Sequence, residues 1–224
     1  MGNWELADGT LADDIEHLNL VSLKSDLADL IETHVARRGS YIGGAQMLDE
    51  SALRQLHRAA TANLLIKPGR YRNENVHLAK DGALTFQPPP WHDVKRLMRL
   101  FFRELASRWN KGDALDVAAY AMWRIGWIHP FKDGNGRTAF AFSYACLCIK
   151  IGAMLPDRET LLDQILADPG RCNRPLRIAD EAYTRSNQQP DLHALKCYLD
   201  ELLLNQMIAA QSLSKTRLTT ADAE

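Results

Sequence analysis

The chain has 224 residues, 46% of them hydrophobic and 25% charged, with a formal net charge of −1 at neutral pH. That is enough apolar material for one large domain, or one domain with an accessory segment. It leaves no global basic field for nucleic acid or an anionic membrane, and no apolar run approaches the roughly 18 residues of a bilayer span. The N-terminus is acidic, without a cationic start and apolar block, so no secretory signal is expected. Leu6 stands where N-myristoylation of Gly2 would need Ser or Thr. The four cysteines are too sparse for a disulfide scaffold and read as buried, reduced thiols of a cytoplasmic protein.

In chain order, apolar spacing predicts helices almost throughout. Leu20, Leu23, Leu27, Leu30 and Ile31 form one stripe, closed by the basic turn and glycine of Arg37-Arg38-Gly39. A second helix is expected over about 49–66, stopped by Pro68-Gly69. The stretch at about 76–87 alternates instead, around Asp81-Gly82, a dipeptide suited to a tight hairpin, and a run of prolines ends it at Pro90. Two strands alone are marginal, so this hairpin must lie against helices. Helices resume at about 91–109, 114–128, 135–152, 157–167, 174–186 and 190–212. The one over 135–152 is apolar nearly all round and is expected to be the central buried helix. A polar tail follows from Ser212.

Between the fourth and fifth helices runs WIHPFKDGNGRTAF, residues 127–140. Polar and flexible residues there cost packing, so a function is sought. First-turn N–H groups of a helix lack internal partners and sit at the positive end of its dipole. Gly134 and Gly136 let the backbone approach a ligand closely, and Asn135 suits an N-cap or an amide donor. Arg137 opposes the dipole unless an anion sits there, which its guanidinium would grip with two bonds. Together these describe a phosphate cradle. Asp133 is an odd neighbour for phosphate unless Mg²⁺ bridges carboxylate and phosphate oxygens. His129, four residues earlier, can accept a proton from an attacking hydroxyl at neutral pH. Phe131 would anchor the loop in the core. GNGRTA also fits the dinucleotide fingerprint, but that fingerprint must follow a strand, and here a helical pattern precedes it.

HPFKDGNGR resembles the signature of the Fic (Fic/Doc) family. PGRYR at 68–72, the hairpin, PPP, VKRLMRLFF and then LCIKIGAMLP resemble that family's order around the signature, over about residues 45–205. The resemblance implies an all-α, Fic-type helical bundle with a small β-hairpin flap beside the active site. It divides the chain into an N-terminal helical segment (1–44), a Fic core (45–205) and a helix end with polar tail (206–224). It implies protein AMPylation, the transfer of AMP from ATP to a hydroxyl of a target protein. His129 would be the base and Asp133 the Mg²⁺ ligand. Gly134, Asn135 and Gly136 would form the anion hole, with Arg137 on phosphate. The flap (Leu78, Ala79, Lys80, Asp81, Gly82, Ala83 and Leu84) would align the target by strand addition; a mere cover over the core is the alternative for it.

Phe140 departs from the family, which usually places a second arginine there for the distal phosphates. Doc, which phosphorylates its target, also lacks that arginine, but it replaces the second glycine by lysine, whereas Gly136 is intact. AMP transfer is therefore favoured over Doc-like phosphotransfer. A Fic scaffold kept only as a binding module is the third reading. The family's inhibitory motif, Ser/Thr-x-x-x-Glu-Gly/Asn, has no full copy; Thr220 to Glu224 and Ser25 to Asp29 are partial echoes. No intramolecular inhibition of the usual kind is expected, and a separate inhibitory antitoxin chain is left open. A toxin or secreted effector would carry the same core.

Overall fold

A computed structural model describes residues 4–37, 46–80, 83–157, 159–186 and 188–221, with side chains placed except at 79, 80, 83–85 and 212–221. The chain forms two compact units, Met1–Ala153 and Met154–Glu224. The first holds α1 (Gly9–Ala36), α2 (Glu50–Thr61), β1 (Leu78–Lys80), β2 (Ala83–Phe86), α3 (Val94–Lys111), α4 (Ala114–Ile128) and α5 (Asn135–Ile151). The second holds α6 (Leu161–Ala167), α7 (Asn173–Arg185) and α8 (His193–Ala221), with α6 and α7 each packed on α8.

The architecture is helical, as the periodicity predicts. α5 packs against α4, α2 and α1, and α3 packs on α4. Thirteen of the 17 residues of α5 are buried, so its even apolarity does mark the central helix. Small side chains (Ala118, Ala121, Ala141, Ala145) let α4 and α5 approach closely, and the buried Ser143 hydroxyl donates to the Ala118 carbonyl at 2.8 Å. The rings of Phe101, Tyr120 and Phe142 fill the layer between α3, α4 and α5. Each such buried ring contributes roughly 1.5–3 kcal/mol of transfer free energy.

β1 and β2 pair antiparallel, Leu78 opposite Phe86 and Lys80 opposite Ala83, with a register irregularity after Leu78. The expected turn, Asp81-Gly82, lies outside the described residues, as do Arg38 and Gly39.

Three helix bounds differ from the sequence expectation. α2 stops at Thr61 rather than near 66, because a turn follows in which Ala62 is extended (φ −56°, ψ 136°), Asn63 is left-handed (φ 59°) and the Leu64 N–H bonds to the Thr61 carbonyl. α6 starts at Leu161 rather than 157, set by a capping box between Thr160 and Asp163. α8 runs to Ala221 rather than ending near 212, so the stretch from Ser212 expected as a polar tail continues the helix. Of the cysteines, 146, 148 and 172 are buried thiols, but Cys197 is exposed.

Candidate active site

α4 ends on His129, whose N–H still bonds to the Ile125 carbonyl at 2.9 Å while its backbone turns left-handed (φ 51°, ψ 59°). That conformation is uncommon outside glycine and persists only where the surroundings impose it. Here the surroundings do so from three sides.

First, the Asn135 side chain closes the loop upon itself. Its Oδ1 accepts from the Phe131 N–H (2.8 Å) and its Nδ2 donates to the Phe131 carbonyl (3.0 Å). Second, Phe131 is fully buried and stacks on the His57 ring with centroids 3.7 Å apart. His57 Nδ1 accepts from the Gly69 N–H (2.8 Å), which leaves Nε2 as the donor to the Asp133 carbonyl (2.9 Å). Burial pushes the His57 pKa down to about 4, so this bridge is a neutral ring. Third, the buried Arg72 guanidinium donates to the carbonyls of His129 (2.8 Å), Glu74 (3.0 Å) and Pro89 (2.5 Å), and its backbone N–H bonds to the Pro130 carbonyl (2.9 Å). Glu74 and Pro89 flank the β1–β2 hairpin, so one side chain ties the base of the hairpin to His129.

The half-buried His129 ring has its pKa lowered to about 4, first by burial and then by Arg72, with Asp133 opposing. Its Nδ1 lies 3.3 Å from the Gly126 carbonyl, which favours the proton on Nδ1 and leaves the Nε2 lone pair as the basic site. The ring is therefore neutral across the physiological range.

At the other end of the loop α5 begins. Its N-cap is Gly134, not Asn135, which is the first helical residue and whose side chain is spent on Phe131. Asn135 thus offers an anion its backbone N–H and not its amide. The two glycines differ in kind. Gly134 has φ 70°, and a Cβ there would stand 2.4 Å from Thr61 Cγ2. Gly136 is exposed, and a Cβ on it would meet only the Phe140 ring at 3.8 Å, an ordinary contact. Protein packing accounts for the first glycine and not for the second, as expected where backbone must stay open to a ligand. Phe140 is 9% exposed and packs as a core side chain one turn beyond Gly136.

Asp133 Oδ1 accepts from the Gly134 N–H at 2.6 Å. Among the described residues no cluster of three or more His, Cys, Asp or Glu could hold a metal ion. Asp133 is the one carboxylate of the loop, and Mg²⁺, usually held by one or two carboxylates plus substrate phosphates, would need no further protein ligand. Arg137 lies in the first turn and pairs with Glu16 of α1 at 3.0 Å, with the Trp4 ring 5.0 Å from its guanidinium carbon. The sequence holds no inhibitory motif around Glu16, yet this carboxylate is an ion-pair partner of Arg137.

Residues 47–147 match the model of the Fic/DOC family. That match covers a little under half of the chain and includes the whole of HPFKDGNGR. It is 36% identical over 87 residues to the protein adenylyltransferase Fic of Drosophila persimilis, a match covering 38% of this chain and 16% of that protein. The chain thus spans under a fifth of that relative's length. Among solved structures, Fic-1 from C. elegans superposes with a TM-score of 0.63 at 18% identity, over 90% of this chain and 52% of that one. A Fic domain containing signaling protein from Bacteroides thetaiotaomicron gives 0.60 at 19%, over 87% and 72%. At such identities the likeness speaks for the Fic fold alone.

Within the matched residues, the loop and α5 carry His129, Phe131, Asp133, Gly134, Asn135, Gly136, Arg137 and Phe140. Leu78 of the hairpin is half-exposed at 37%, and the side chains of 79–84 are outside what is described. Sequence reasoning missed His57, Arg72, Glu16 and Trp4. His57 had a readable signal, since it lies on the apolar face of α2 beside Leu53, Leu56 and Ala60. Arg72 lay inside PGRYR, but nothing local says that its charge would turn inward. No helix among the described residues is long and apolar enough to cross a membrane.

Proposed function

We propose that this Fic domain transfers AMP from ATP to a hydroxyl of a target protein. The carrying observation is the loop itself: a neutral imidazole is held at one end and an open, glycine-bounded helix N-terminus at the other. The target hydroxyl gives its proton to His129 Nε2 as its oxygen attacks the α-phosphorus. The bond from that phosphorus to the oxygen bridging to the β-phosphate breaks, and pyrophosphate leaves with the displaced electron pair. The first-turn N–H groups of α5 face the charge that develops, where preorganised donors act most strongly. Mg²⁺, bound through Asp133 and phosphate oxygens, would supply further charge neutralisation. Arg137 must exchange Glu16 for phosphate, so nucleotide and Glu16 compete for one guanidinium. The adenylyltransferase name of the Drosophila relative supports the same chemistry.

Phe140 removes one charge-assisted contact to the distal phosphates, typically worth about 1.5–3 kcal/mol. That weakens donor binding but leaves the chemistry at the α-phosphorus intact. Doc-like phosphotransfer keeps some support from Phe140, while Gly136 speaks against it. We also propose residues 45–205 as the catalytic core, the hairpin as the flap that orders the target, and a cytoplasmic site of action, with an inhibitory partner chain as an option.

The test is to incubate the protein and its His129→Ala variant with lysate, Mg²⁺ and ATP labelled at either the α- or the γ-phosphate. Label from the α position that disappears in the variant is the expected result. Label from the γ position alone assigns phosphotransfer, and no label from either in a lysate containing the target leaves a binding module.

A further inference from the structure

Beside the motif, in the same unit, lies a cavity of 660 Å³ whose walls do not include His129 or the N-terminus of α5. Its cationic lining is Arg54, Lys67, Arg70, Arg72, Lys95 and Lys132, against two acidic side chains, Glu5 and Glu74. The whole chain has a net charge of −1, so this concentration of positive charge is local.

The cations divide by their partners. Arg54 is paired with Glu50, and Arg72 is spent on backbone carbonyls. Lys132 is shared by Glu5 and Glu74, each at 2.9 Å. Lys67, Arg70 and Lys95 are exposed and make no ion pair among the described residues. Three like charges converging on one cavity repel one another, and a polyanionic occupant relieves that repulsion. The chain's own N-terminal segment shows the chemistry that fits. The backbone N–H groups of Glu5 and Leu6 bond to the Leu64 carbonyl, while the Glu5 carboxylate reaches Lys132 and the Ile66 N–H. A peptide strand that lays one carboxylate into this cavity is thus already compatible with it.

Position decides the occupant. Lys132 lies three residues after His129, so their Cα atoms are at most about 11 Å apart. The exposed Trp91 on the cavity wall, 45% accessible, has its N–H bonded to the Asn75 side chain, which closes the base of the hairpin. A chain leaving the hairpin edge past His129 reaches the cavity within about three to five residues of its reactive hydroxyl, at roughly 3.3–3.6 Å per residue.

We infer that the cavity is a specificity subsite for an acidic segment of the target protein, with Asp or Glu side chains a few positions from the modified hydroxyl engaging Lys67, Arg70 and Lys95. The inference rests on the target-modifying reading above. A nucleic-acid strand is disfavoured, because phosphates need a basic track and this is a single pocket on a chain without net positive charge.

The test uses the full chain and fluorescent peptides carrying one serine between glutamates or between lysines, read by anisotropy at rising salt. Oligothymidylate and inorganic tripolyphosphate serve as further probes. The acidic peptide should bind in a salt-sensitive way and the basic one should not. The combined Lys67→Glu, Arg70→Glu and Lys95→Glu variant should lose affinity for the acidic peptide by about tenfold or more, the sum of three exposed charge contacts. If charge reversal lowers the melting temperature, the Lys67→Gln, Arg70→Gln, Lys95→Gln variant carries the comparison. Equal binding of both peptides, undiminished binding by both variants, or binding of only tripolyphosphate or only oligothymidylate overturns the inference. In the labelling assay, the preference of wild type for acidic over basic peptides should vanish in the variant. Binding that behaves as described while no α-label is ever transferred supports the subsite and removes only the AMP-transfer reading.

Discussion

Gly134 and Gly136 are two residues apart in the sequence and do different work. At Gly134 an alanine would have to hold φ at 70° and displace Thr61, since its Cβ would stand 2.4 Å from a branched methyl that cannot swing clear. A left-handed backbone costs an L side chain roughly 1–2 kcal/mol before any clash. Gly136 lies in the helix, where alanine is favoured over glycine by up to about 1 kcal/mol and meets only the Phe140 ring. Gly134→Ala should therefore lower the unfolding free energy by about 2 kcal/mol or more, seen in denaturant titration. Gly136→Ala should leave stability unchanged or slightly raised yet cut α-label transfer, because on the proposed function a methyl then stands where phosphate approaches the backbone. A Gly136→Ala protein with full activity would remove the anion-hole role from this glycine.

The loop between α4 and α5 owes its shape to residues from other elements, and Arg72 is the clearest case. Its fork gathers carbonyls from His129, Glu74 and Pro89, so one buried cation ends α4, seats His129 and moors the β1–β2 hairpin. Its pKa is lowered by burial alone, consistent with compensation by carbonyl dipoles and not by a carboxylate. Arg72→Met should fill similar space but leave those carbonyls without their donor, at about 1–3 kcal/mol for each buried group left unsatisfied. The expected signature is a lower melting temperature together with a fall in kcat for AMP transfer that exceeds any rise in KM for ATP. A variant with kcat intact would show that His129 keeps its pose without the clamp. This dependence also explains what the sequence could convey. The helices, the central place of α5 and the residues at 129–137 follow local patterns, so they were legible. Burial of Arg72, the His57–Phe131 stack and the Glu16–Arg137 pair join residues 57, 74 and 121 positions apart or more loosely placed, and no local spacing encodes them. The early end of α2 is by contrast local, but Asn63 is a weaker stop signal than Pro68-Gly69, so spacing alone carries the helix too far.

For the molecule as a whole, the buried His57 and half-buried His129 imidazoles set a limit on acid stability. His57 and His129 have folded pKa values of about 4 against an ordinary 6.5, in each case chiefly through desolvation. Above pH 6.5 both are neutral whether the chain is folded or unfolded, so they contribute nothing to the pH dependence. Below 6.5 the unfolded chain binds protons that the folded chain refuses, and stability falls until the folded pKa near 4 is passed, where the loss levels off. For the fully buried His57 the drop from 6.5 to about 4 corresponds to roughly 3 kcal/mol, a large part of the 5–15 kcal/mol of a typical domain. The carboxylates act in a different window. Glu5 is held below its ordinary range, led by the hydrogen bond from Lys132, and Asp49 is held below it by the N–H groups and hydroxyl it caps against the cost of burial. Their contribution is present above the ordinary carboxylate pKa and is lost only as pH falls through the lowered values, mostly beneath the histidine window. Thermal melts between pH 7 and about 4.5 should therefore show a steady decline attributable to histidine. His57→Gln should be less stable at neutral pH, because it loses the stack on Phe131, yet decline less steeply toward acid. A melting temperature independent of pH over that interval in the wild type would mean that His57 is not the buried neutral bridge between Gly69 and Asp133. The geometry of the loop from His129 to Asn135 would then have a different support.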